Sequence, residues 1–465
     1  SYKDRYMFEA NGRYDGSSRF VGKERWGFFP SFSAGWNVSR EPFWRDLEHI
    51  VNNFKIRGSW GELGNCNTTA FYPFYQTMPT GVENSGWLIN GKKPNTASAP
   101  GIVSAEMTWE TVRSWNIGFD FGLLNNRLTG SFDYFVRNTL DMIGPAPQLP
   151  ATLGATVPKV NNADMKAWGF EVEVSWRDRI KDFNYGVKFV LSDDQRKVTR
   201  YPNEELNRNQ WYAGRMDGLV WGYETVGIAK TDAEMEAHLA SLPNGGQSQL
   251  GSKWAAGDIM YKDLNGDGKI SSGDGTLNDL GDLKVVANTQ LRFKYGLTLD
   301  ASWKGFDFSA FFQGVGKRDV VVGGPYFWGA NGQGMWQAAA FKDHMDYFRP
   351  EDTESVFGPN VDAYYPRVIF GGGSSEGGKN TLTQSRYVQN GAYIRLKNLQ
   401  LGYTLPSTIT KKFAVNSLRV YVSGDNLWTG TKMRVFDPEV LGSTGDAGKA
   451  YPLARVWSVG LNVNF

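Results

Sequence analysis

One short segment combines the residue types and the spacing of an ion-binding loop. In DLNGDGKISSGD, residues 263–274, oxygen-bearing groups fall at positions 1, 3, 5, 7, 9 and 12, and Gly268 permits the sharp turn that such a loop needs. Calcium prefers about six to eight hard oxygen ligands. The sequence therefore predicts a structural Ca²⁺ site whose ligands are Asp263, Asn265, Asp267, the Lys269 carbonyl, Ser271 and Asp274.

An alternative reading of this segment needs no ion. Asp and Asn side chains also cap the backbone of tight turns by themselves. Position 12 is Asp274 rather than the bidentate Glu of sensor loops, and no helical pattern flanks the segment, so a switch between helix pairs is not expected. We expect calcium here to staple a surface loop and not to carry the function.

Patterns for catalysis are weak. The three histidines, His49, His238 and His344, do not form a metalloprotease pattern, and Cys66 is the only cysteine. GSSEG, residues 373–377, fits G-x-S-x-G but lies in a Gly-rich stretch without the strand-to-helix turn that exposes a nucleophile. The sequence therefore predicts no enzyme.

Composition favours a large pleated structure. Aromatic residues make up 14% of the 465 residues, and there are 55 glycines, which suits strands and turns. The 50 basic and 48 acidic residues leave a net charge of +2, so no nucleic-acid partner is expected. A run of about 18 apolar residues, which a spanning helix requires, does not occur.

Apolar and polar residues alternate with a period of two through most of the chain. In FEVEVSWR, residues 170–177, Phe, Val, Val and Trp oppose Glu, Glu, Ser and Arg. Most such runs reach ten residues, the length of a membrane-crossing strand. The alternation predicts twelve strands, at 4–16, 25–39, 54–64, 113–124, 127–143, 168–179, 183–201, 290–304, 306–322, 391–406, 417–431 and 455–465.

The connections between these strands alternate between short and long. Tight turns are predicted at 125–126, 180–182 and 304–305, whereas 65–112, 144–167, 202–289, 323–390 and 432–454 are long. Two joins on the short side, 40–53 and 407–416, are longer than the pattern requires. This asymmetry predicts an all-β, antiparallel up-and-down transmembrane barrel with long external loops, although a soluble sandwich also alternates.

The last residues, SVGLNVNF, match a barrel signal. Ser458, Gly460, Val463 and Phe465 follow the polar, glycine and apolar spacing, with a final Phe, by which the ends of outer-membrane barrels resemble one another. A strand that merely stops after an aromatic residue is the alternative. Eleven similar strands upstream favour the barrel.

Ten segments in order resemble the SusC-like (RagA-like) TonB-dependent transporters of Bacteroidota outer membranes. They are DGSSRF (15–20), RWGFFPSFSAGWNVSREPFW (25–44), KIRGSWGELGN (55–65), LTGSFDYFVRNTLDMI (128–143), GFEVEVSWR (169–177), GDIMYKDLNGDGKIS (257–271), NGAYIRLKNLQLGYTLP (390–406), LRVYVSGDNLW (418–428), FDPEV (436–440) and YPLARVWSVGLNVNF (451–465).

The resemblance implies a plugged barrel of 22 strands, of which residues 1–465 would supply the C-terminal part. It also implies a SusD-like surface lipoprotein as lid, the TonB complex as energy source and an oligomeric nutrient, glycan or peptide, as cargo. The plug, the TonB box and the first strands have no counterpart in this chain, so we expect the rest of the barrel to come from the other part of a split or cleaved polypeptide, or from a longer chain of which residues 1–465 are a part. Outer-membrane lipid would surround the wall.

Aromatic residues of the long loops are candidates for contact with a ligand or the lid. They are Trp87, Trp211, Tyr212, Trp221, Tyr223, Phe327, Trp328 and Trp336. Each could stack on a sugar, which favours a glycan, or pack in a loop core. The calcium-like segment lies within one of these loops, 202–289.

Three functions therefore stay open. The first is a component of an outer-membrane importer. The second is a secreted, calcium-stapled binding or adhesion module, and the third is an enzyme on the outer-membrane surface. Dependence on detergent separates the second from the others, and hydrolysis of a glycan or peptide separates the third from the first.

Overall fold

A sheet of twelve antiparallel strands dominates the computed structural model. The structure describes residues 1–68, 71–82, 88–98, 100–104, 106–146, 150, 152, 157–331, 340–369, 375–442 and 450–465. The strands, in chain order, are β1 (Tyr6–Gly16), β2 (Trp26–Asn37), β3 (Val51–Asn65), β4 (Thr80–Val82), β5 (Asn95–Ala97), β6 (Glu110–Leu123), β7 (Leu128–Ile143), β8 (Asn161–Ile180), β9 (Phe183–Arg200), β10 (Leu219–Tyr223), β11 (Thr225–Ile228), β12 (Ile259–Tyr261), β13 (Leu283–Asn288), β14 (Arg292–Trp303), β15 (Phe306–Lys317), β16 (Asp319–Val321), β17 (Val388–Asn390), β18 (Tyr393–Thr404), β19 (Ser417–Thr431) and β20 (Val456–Asn464).

Helices are short and lie in the connections. The α-helices are α1 (Asp232–Ala240), α2 (Pro325–Trp328), α3 (Ser375–Gly378) and α4 (Ser407–Thr410). Single 3₁₀ turns occur at Gly22–Arg25, Val38–Arg40, Pro42–Trp44, Lys342–Met345, Ser385–Tyr387 and Lys411–Phe413. None of the helices in the described part of the chain has the length and apolar character needed to cross a membrane.

The order of the large sheet confirms the twelve predicted strands. Its neighbours are β1, β2, β3, β6, β7, β8, β9, β14, β15, β18, β19 and β20, so each strand pairs with the next barrel strand in the chain. Within the described residues, β1 and β20 are the two edges. This is the up-and-down topology that the alternation predicted.

Two predicted boundaries were wrong. β8 begins at Asn161 instead of 168, because the apolar residues Ala163 and Met165 fall on the odd positions, the face that Glu171 and Glu173 occupy farther along. β15 ends at Lys317 instead of 322, because the chain then forms the separate strand β16, which pairs with β17.

Tight turns join the strands at one end of the sheet, which we call the turn end. Between β6 and β7, Asn125 and Asn126 have positive φ angles of 58° and 61°, the conformation of a two-residue hairpin turn that Asn tolerates well. Lys304 and Gly305 have φ angles of 46° and 91° between β14 and β15. We call the opposite end, with the long connections, the loop end.

Register places apolar side chains on one face of the sheet across neighbouring strands. Three successive pairs show this: Trp60 lies opposite Trp115, Trp115 opposite Val136, and Val136 opposite Trp168. Because opposite residues of an antiparallel pair share a face, the four side chains form one apolar row across β3, β6, β7 and β8. Many large apolar side chains of this face are exposed, as in a wall that faces lipid.

The C-terminal signal lies in β20. Ser458 lies opposite Ser423 and Gly460 opposite Tyr421, on the polar face, whereas Val463 lies opposite Leu418 on the apolar face. Phe465 follows the strand and is exposed. The signal residues therefore alternate between the two faces of the last strand.

The main buried core lies in the loops and not in the sheet. Segments from the connections 201–291, 318–392 and 432–455 pack together around Tyr261, Phe327, Tyr365 and Tyr387, and two small sheets, β10–β13 and β11–β12, stiffen the first of them. The connection 202–289, expected as a loop, therefore carries its own strands and α1. Period-two analysis missed them because they are only three to six residues long or helical.

Candidate functional site

Polar side chains line the other face of the sheet and pair across strands. The Arg57 guanidinium on β3 bonds to Asp133 on β7, with Nη1 to Oδ1 at 2.5 Å, and to Asp120 on β6 at 3.2 Å. Farther along, Arg419 on β19 donates from Nε to Asp307 on β15 at 2.9 Å. Charges of both signs alternate on this face, so it is polar without attracting one sign of ligand.

A cleft of about 380 Å³ lies on this polar face at the loop end of β7, β8 and β9. Met165 lies opposite Val198 and, by alternation, on the face of Glu171 and Glu173. Beside Asp164, Thr199 is an extra residue in β9, and this bulge interrupts the regular pairing of the two strands. The cleft is lined by Met142, Ile143, Gly144, Pro145, Lys159, Ala163, Asp164, Met165, Val198, Tyr201 and Trp211.

Trp211 is the predicted ligand residue that reaches this cleft. Its ring is partly exposed, and the guanidinium carbon of Arg215 lies 4.8 Å from the ring centroid. The same guanidinium is 5.8 Å from the ring of Tyr212, and its Nη1 donates to the carbonyl of Gln210 at 2.6 Å. Cation–π contact and a backbone hydrogen bond therefore hold the aromatic pair in place at the rim.

Asp164, a lining residue of the cleft, belongs to an ion-paired group of three side chains. The Arg200 guanidinium donates to Asp164 at 2.7 Å and to Asp141 at 2.7 Å. Because one guanidinium is shared by two carboxylates, these three groups carry a net charge of −1, and Lys159 is an exposed cation in the lining of the cleft.

Three other predicted residues lie inside the loop core. Tyr223, Phe327 and Trp328 are buried, and Trp328 packs edge-on against Tyr387 with centroids 4.6 Å apart. Burial raises the pKa of Tyr387 above its ordinary value. Their burial favours the packing role that the sequence left open for these aromatics.

Trp221, the remaining candidate among the described residues, does not line the cleft. Trp221 lies on β10 and is half-buried, with an indole Nε1 that is buried without a hydrogen-bond partner. Trp87 and Trp336 lie outside the described residues, as do Gly373 and Ser374 of the G-x-S-x-G match. Sequence analysis missed Met142, Met165 and Val198, because apolar residues in a strand were assigned to the apolar face, whereas Met165 and Val198 lie on the polar one.

In the 263–274 loop, side-chain oxygens accept hydrogen bonds from the loop's own backbone. The two carboxylate oxygens of Asp263 accept from the amides of Gly266, at 2.6 Å, and Gly268, at 2.9 Å. Burial acts to raise the pKa of Asp263, but the amides of Gly268 and Gly266 outweigh it and hold the pKa below its usual value. Asn265 and Asp267 cap the next amides in the same way.

A further carboxylate, Asp282, lies beneath this loop. It is completely buried and accepts from the amides of Leu264 and Ser271, both at 2.7 Å. Burial raises the pKa of Asp282, and the neighbouring Asp263 carboxylate adds to this rise. Asp274, the predicted ligand at position 12, instead turns to the amide of Thr276 at 2.7 Å.

The prediction that the 263–274 loop binds Ca²⁺ is not tested by the structure. Among the described residues, no group of three or more His, Cys, Asp or Glu side chains is arranged to hold a metal ion. A carboxylate has about four lone-pair positions, so amide hydrogen bonds leave Asp263 and Asp267 able to bind an ion as well. The donor set is therefore compatible with calcium, and its occupancy stays a prediction.

A buried ion-pair network joins two of the loops. Lys379, fully buried, lies with Nζ at 2.9 Å from Asp258 and donates to the carbonyl of Ser252 at 2.7 Å. Arg367 donates to both oxygens of the same Asp258, at 2.6 and 2.7 Å. Since nothing in the sequence places these residues together, the network emerges only from the fold.

Comparison with known proteins agrees with the architecture. The family described as "TonB dependent receptor-like, beta-barrel" matches residues 1–427. TonB-dependent receptor P3 of Formosa agariphila is 28% identical, and the match covers 100% of this chain and 44% of that protein. TonB-dependent receptor SusC of Bacteroides thetaiotaomicron is 25% identical, with 100% and 43% covered.

A solved structure shares the fold. The structure titled "Structure of the RagAB peptide transporter" superposes with a TM-score of 0.73 at 22% identity, covering 100% of this chain and 46% of that one. The chain thus spans less than half the length of the relatives it matches. Twelve strands in barrel order, an apolar outer face and the family match over 1–427 agree, and the chain belongs to the TonB-dependent receptor family, as part of an outer-membrane β-barrel.

Proposed function

We propose that this chain forms part of the wall and the external loops of a TonB-dependent importer that takes up an oligomeric nutrient. The polar face lines the lumen, the loop end faces the outside, and the cleft beside Trp211 receives one unit of the cargo as it enters. The cleft carries the proposal, because it lies on the lumen face at the mouth, where an entering ligand must pass.

The lining of the cleft favours a peptide as the cargo. Met142, Met165 and Val198 provide an apolar wall, with Trp211 at the rim. An apolar side chain gains from burial there, whereas the hydroxyl groups of a sugar would lose water without enough polar partners. The burial of Tyr223, Phe327 and Trp328 also removes much of the stacking surface that favoured a glycan.

Other components complete the importer in this proposal. A SusD-like lipoprotein covers the loop end, and TonB acts through a plug and a TonB box that residues outside this chain supply. No catalytic step is part of it, since import needs binding and a conformational change. Calcium, where it binds the 263–274 loop, stiffens the external surface and does not take part in transport.

The test uses the complete transporter, purified in detergent with any lipoprotein that accompanies it. Binding of oligopeptides with apolar side chains is compared with binding of oligosaccharides by calorimetry. We expect peptides to bind, and both Trp211→Ala and Met165→Glu to weaken binding by about 2 kcal/mol, roughly thirtyfold in Kd. Tyr451→Ala, at an exposed aromatic of another external connection, is the matched control and should bind normally.

Two results contradict the proposal. Binding of oligosaccharides alone would overturn the peptide assignment while leaving import intact. Normal affinity in both cleft variants would remove the cleft from the binding path.

A further inference from the structure

The connection between β2 and β3 is the longest described join at the turn end. Residues 38–50 link Asn37 to Val51, whereas Asn125 and Asn126 suffice between β6 and β7. Crossing between adjacent strands does not require this length. The length of this connection therefore needs an explanation other than joining the two strands.

Three contacts place this segment against the apolar, lipid-facing side of the sheet. Glu41 accepts from the Tyr6 hydroxyl at 2.6 Å and from the Trp36 indole at 3.1 Å. Tyr6 and Trp36 lie opposite each other in the row of Ile56, on the apolar face. The segment is thus tied to the outside of the wall rather than to the lumen.

The third contact is an aromatic stack. The ring of Trp44 lies 5.6 Å from that of Phe54, centroid to centroid, with an angle of 2° between the planes. Phe54 lies opposite Phe121 on the apolar face. The Trp44 indole donates to the Val51 carbonyl at 3.0 Å, so its polar atom is satisfied while its ring covers the wall.

The segment then presents apolar side chains away from the protein. Phe43 is 64% exposed, Leu47 46% and Ile50 47%. Backbone bonds from the Leu47 amide to the Trp44 carbonyl and from the Ile50 amide to the Leu47 carbonyl, both 2.9 Å, hold this stretch in successive turns. The result is a short apolar ridge, Phe43 to Ile50, in which the amides of Trp44, Leu47, Glu48 and Ile50 are hydrogen-bonded within the segment 41–50.

Charge does not explain this ridge. Arg40 and Arg45 stand against Glu41, Asp46 and Glu48, so the segment carries no excess of basic residues that would draw it to anionic headgroups. Its exposed apolar surface is instead continuous with the lipid-facing wall through Phe54. Because the ridge continues this lipid-facing surface, the geometry favours lipid as the material that covers its exposed apolar side chains.

We infer that residues 42–50 form an interfacial anchor that inserts Phe43, Leu47 and Ile50 into the periplasmic leaflet of the outer membrane. The ridge lies flat beside the wall and reaches about 5–10 Å into the boundary between headgroups and acyl chains, as amphipathic interfacial segments do. The anchor fixes the height of the turn end in the membrane, and its ligand is phospholipid acyl chain. This inference does not depend on the cargo.

Site-directed spin labels test the anchor in the complete transporter reconstituted in phosphatidylethanolamine and phosphatidylglycerol vesicles. In a background of Cys66→Ser and no other cysteine, labels are placed by Phe43→Cys and Leu47→Cys. Phe357→Cys is the matched control, since Phe357 is 59% exposed in an external loop. We expect oxygen, which concentrates in lipid, to relax labels 43 and 47 more than a water-soluble nickel chelate does, and the reverse at 357.

Two outcomes overturn the anchor. Labels 43 and 47 that respond to the nickel chelate as label 357 does would place the ridge in water. Labels protected from both reagents would show that protein, such as another part of the complete transporter, covers the ridge. Because collision rates are measured without cargo, failure of the import proposal does not affect either result.

Discussion

The ring of Tyr421 lies directly across Gly460 on the neighbouring strand. The two residues are opposite each other in β19 and β20, and a Cβ added to Gly460 would overlap the Tyr421 ring. An aromatic side chain that covers an opposite glycine fills the space that the missing side chain leaves. This gives a physical reason for glycine at that position of the C-terminal signal.

Substitution Gly460→Ala should therefore destabilise the pairing of the last two strands. We expect a loss of about 1–3 kcal/mol, the usual cost of overpacking, in urea unfolding of the complete protein from lipid vesicles. Gly323→Ala is the control, because a Cβ there meets nothing within 4 Å. In a Tyr421→Ala background the cost of Gly460→Ala should fall, and an unchanged cost would show that the ring is not the cause.

Loss of the buried ammonium group at Lys379 should loosen two loops together. In Lys379→Met, Asp258 keeps Arg367 but loses its other cation in a site without solvent, so we expect a local loss of about 3–5 kcal/mol. Hydrogen–deuterium exchange should rise in 252–261 and in 376–384, while the strands of the sheet stay protected. Lys93→Met, at an exposed lysine, should change neither segment.

Calcium should stabilise the loop of 263–274. Exchange of the amides of 264–273 should slow on addition of Ca²⁺ to the chelator-treated protein, because the ion would neutralise the close carboxylates Asp263 and Asp282. Asp263→Asn and Asp267→Asn should each weaken this response, whereas Glu205→Gln, at an exposed acid of the same connection, should preserve it. The same exchange with and without Ca²⁺ in the wild type would show that the side chains only cap the turn.

Acid should release the contact between the two small sheets of the external loops. The Lys284 ammonium, with help from Lys262, holds the pKa of Glu224 below its ordinary value. A depressed folded-state pKa means that the stabilisation is present above the unfolded pKa and is lost as the pH falls through the folded one.

We therefore expect exchange in 219–228 and 283–288, corrected for the intrinsic rate, to increase below about pH 4.5, the ordinary value for Glu. Glu224→Gln should lack this acid-dependent step, because it has no proton to take up. Equal acid dependence in both proteins would assign the change to another group.

Most strands of the barrel wall could be predicted from the sequence, because the alternation within each strand shows which residues share a face. Phe170, Val172 and Val174 alternate with Glu171 and Glu173, and a period of two identifies both the strand and its two surfaces. The prediction of β8 stopped short of Asn161, because Ala163 and Met165 are apolar residues at the odd positions that Glu171 and Glu173 occupy farther along the strand. Met165 and Val198 lie on the polar face by simple alternation, and their apolar side chains there break the pattern by which the face was recognised.

The roles of the loop aromatics were less predictable, because the same residue types, Trp, Tyr and Phe, serve both to stack on a ligand and to pack in a core. Trp211 reaches the cleft while Trp328 is buried against Tyr387, and only the packing of three separate connections separates the two roles. Lys379 and Asp258 meet across more than a hundred residues for the same reason.

By itself, the sequence determined the class of the fold, the number of strands, the two faces of the wall and the family, because all of these are written in local alternation and in ordered segments. The tertiary structure alone decided which aromatic residues are available to a ligand, where the cleft lies, and that residues 42–50 pack outside the wall. Those features arise from contacts between distant segments, whose free energy no local pattern records.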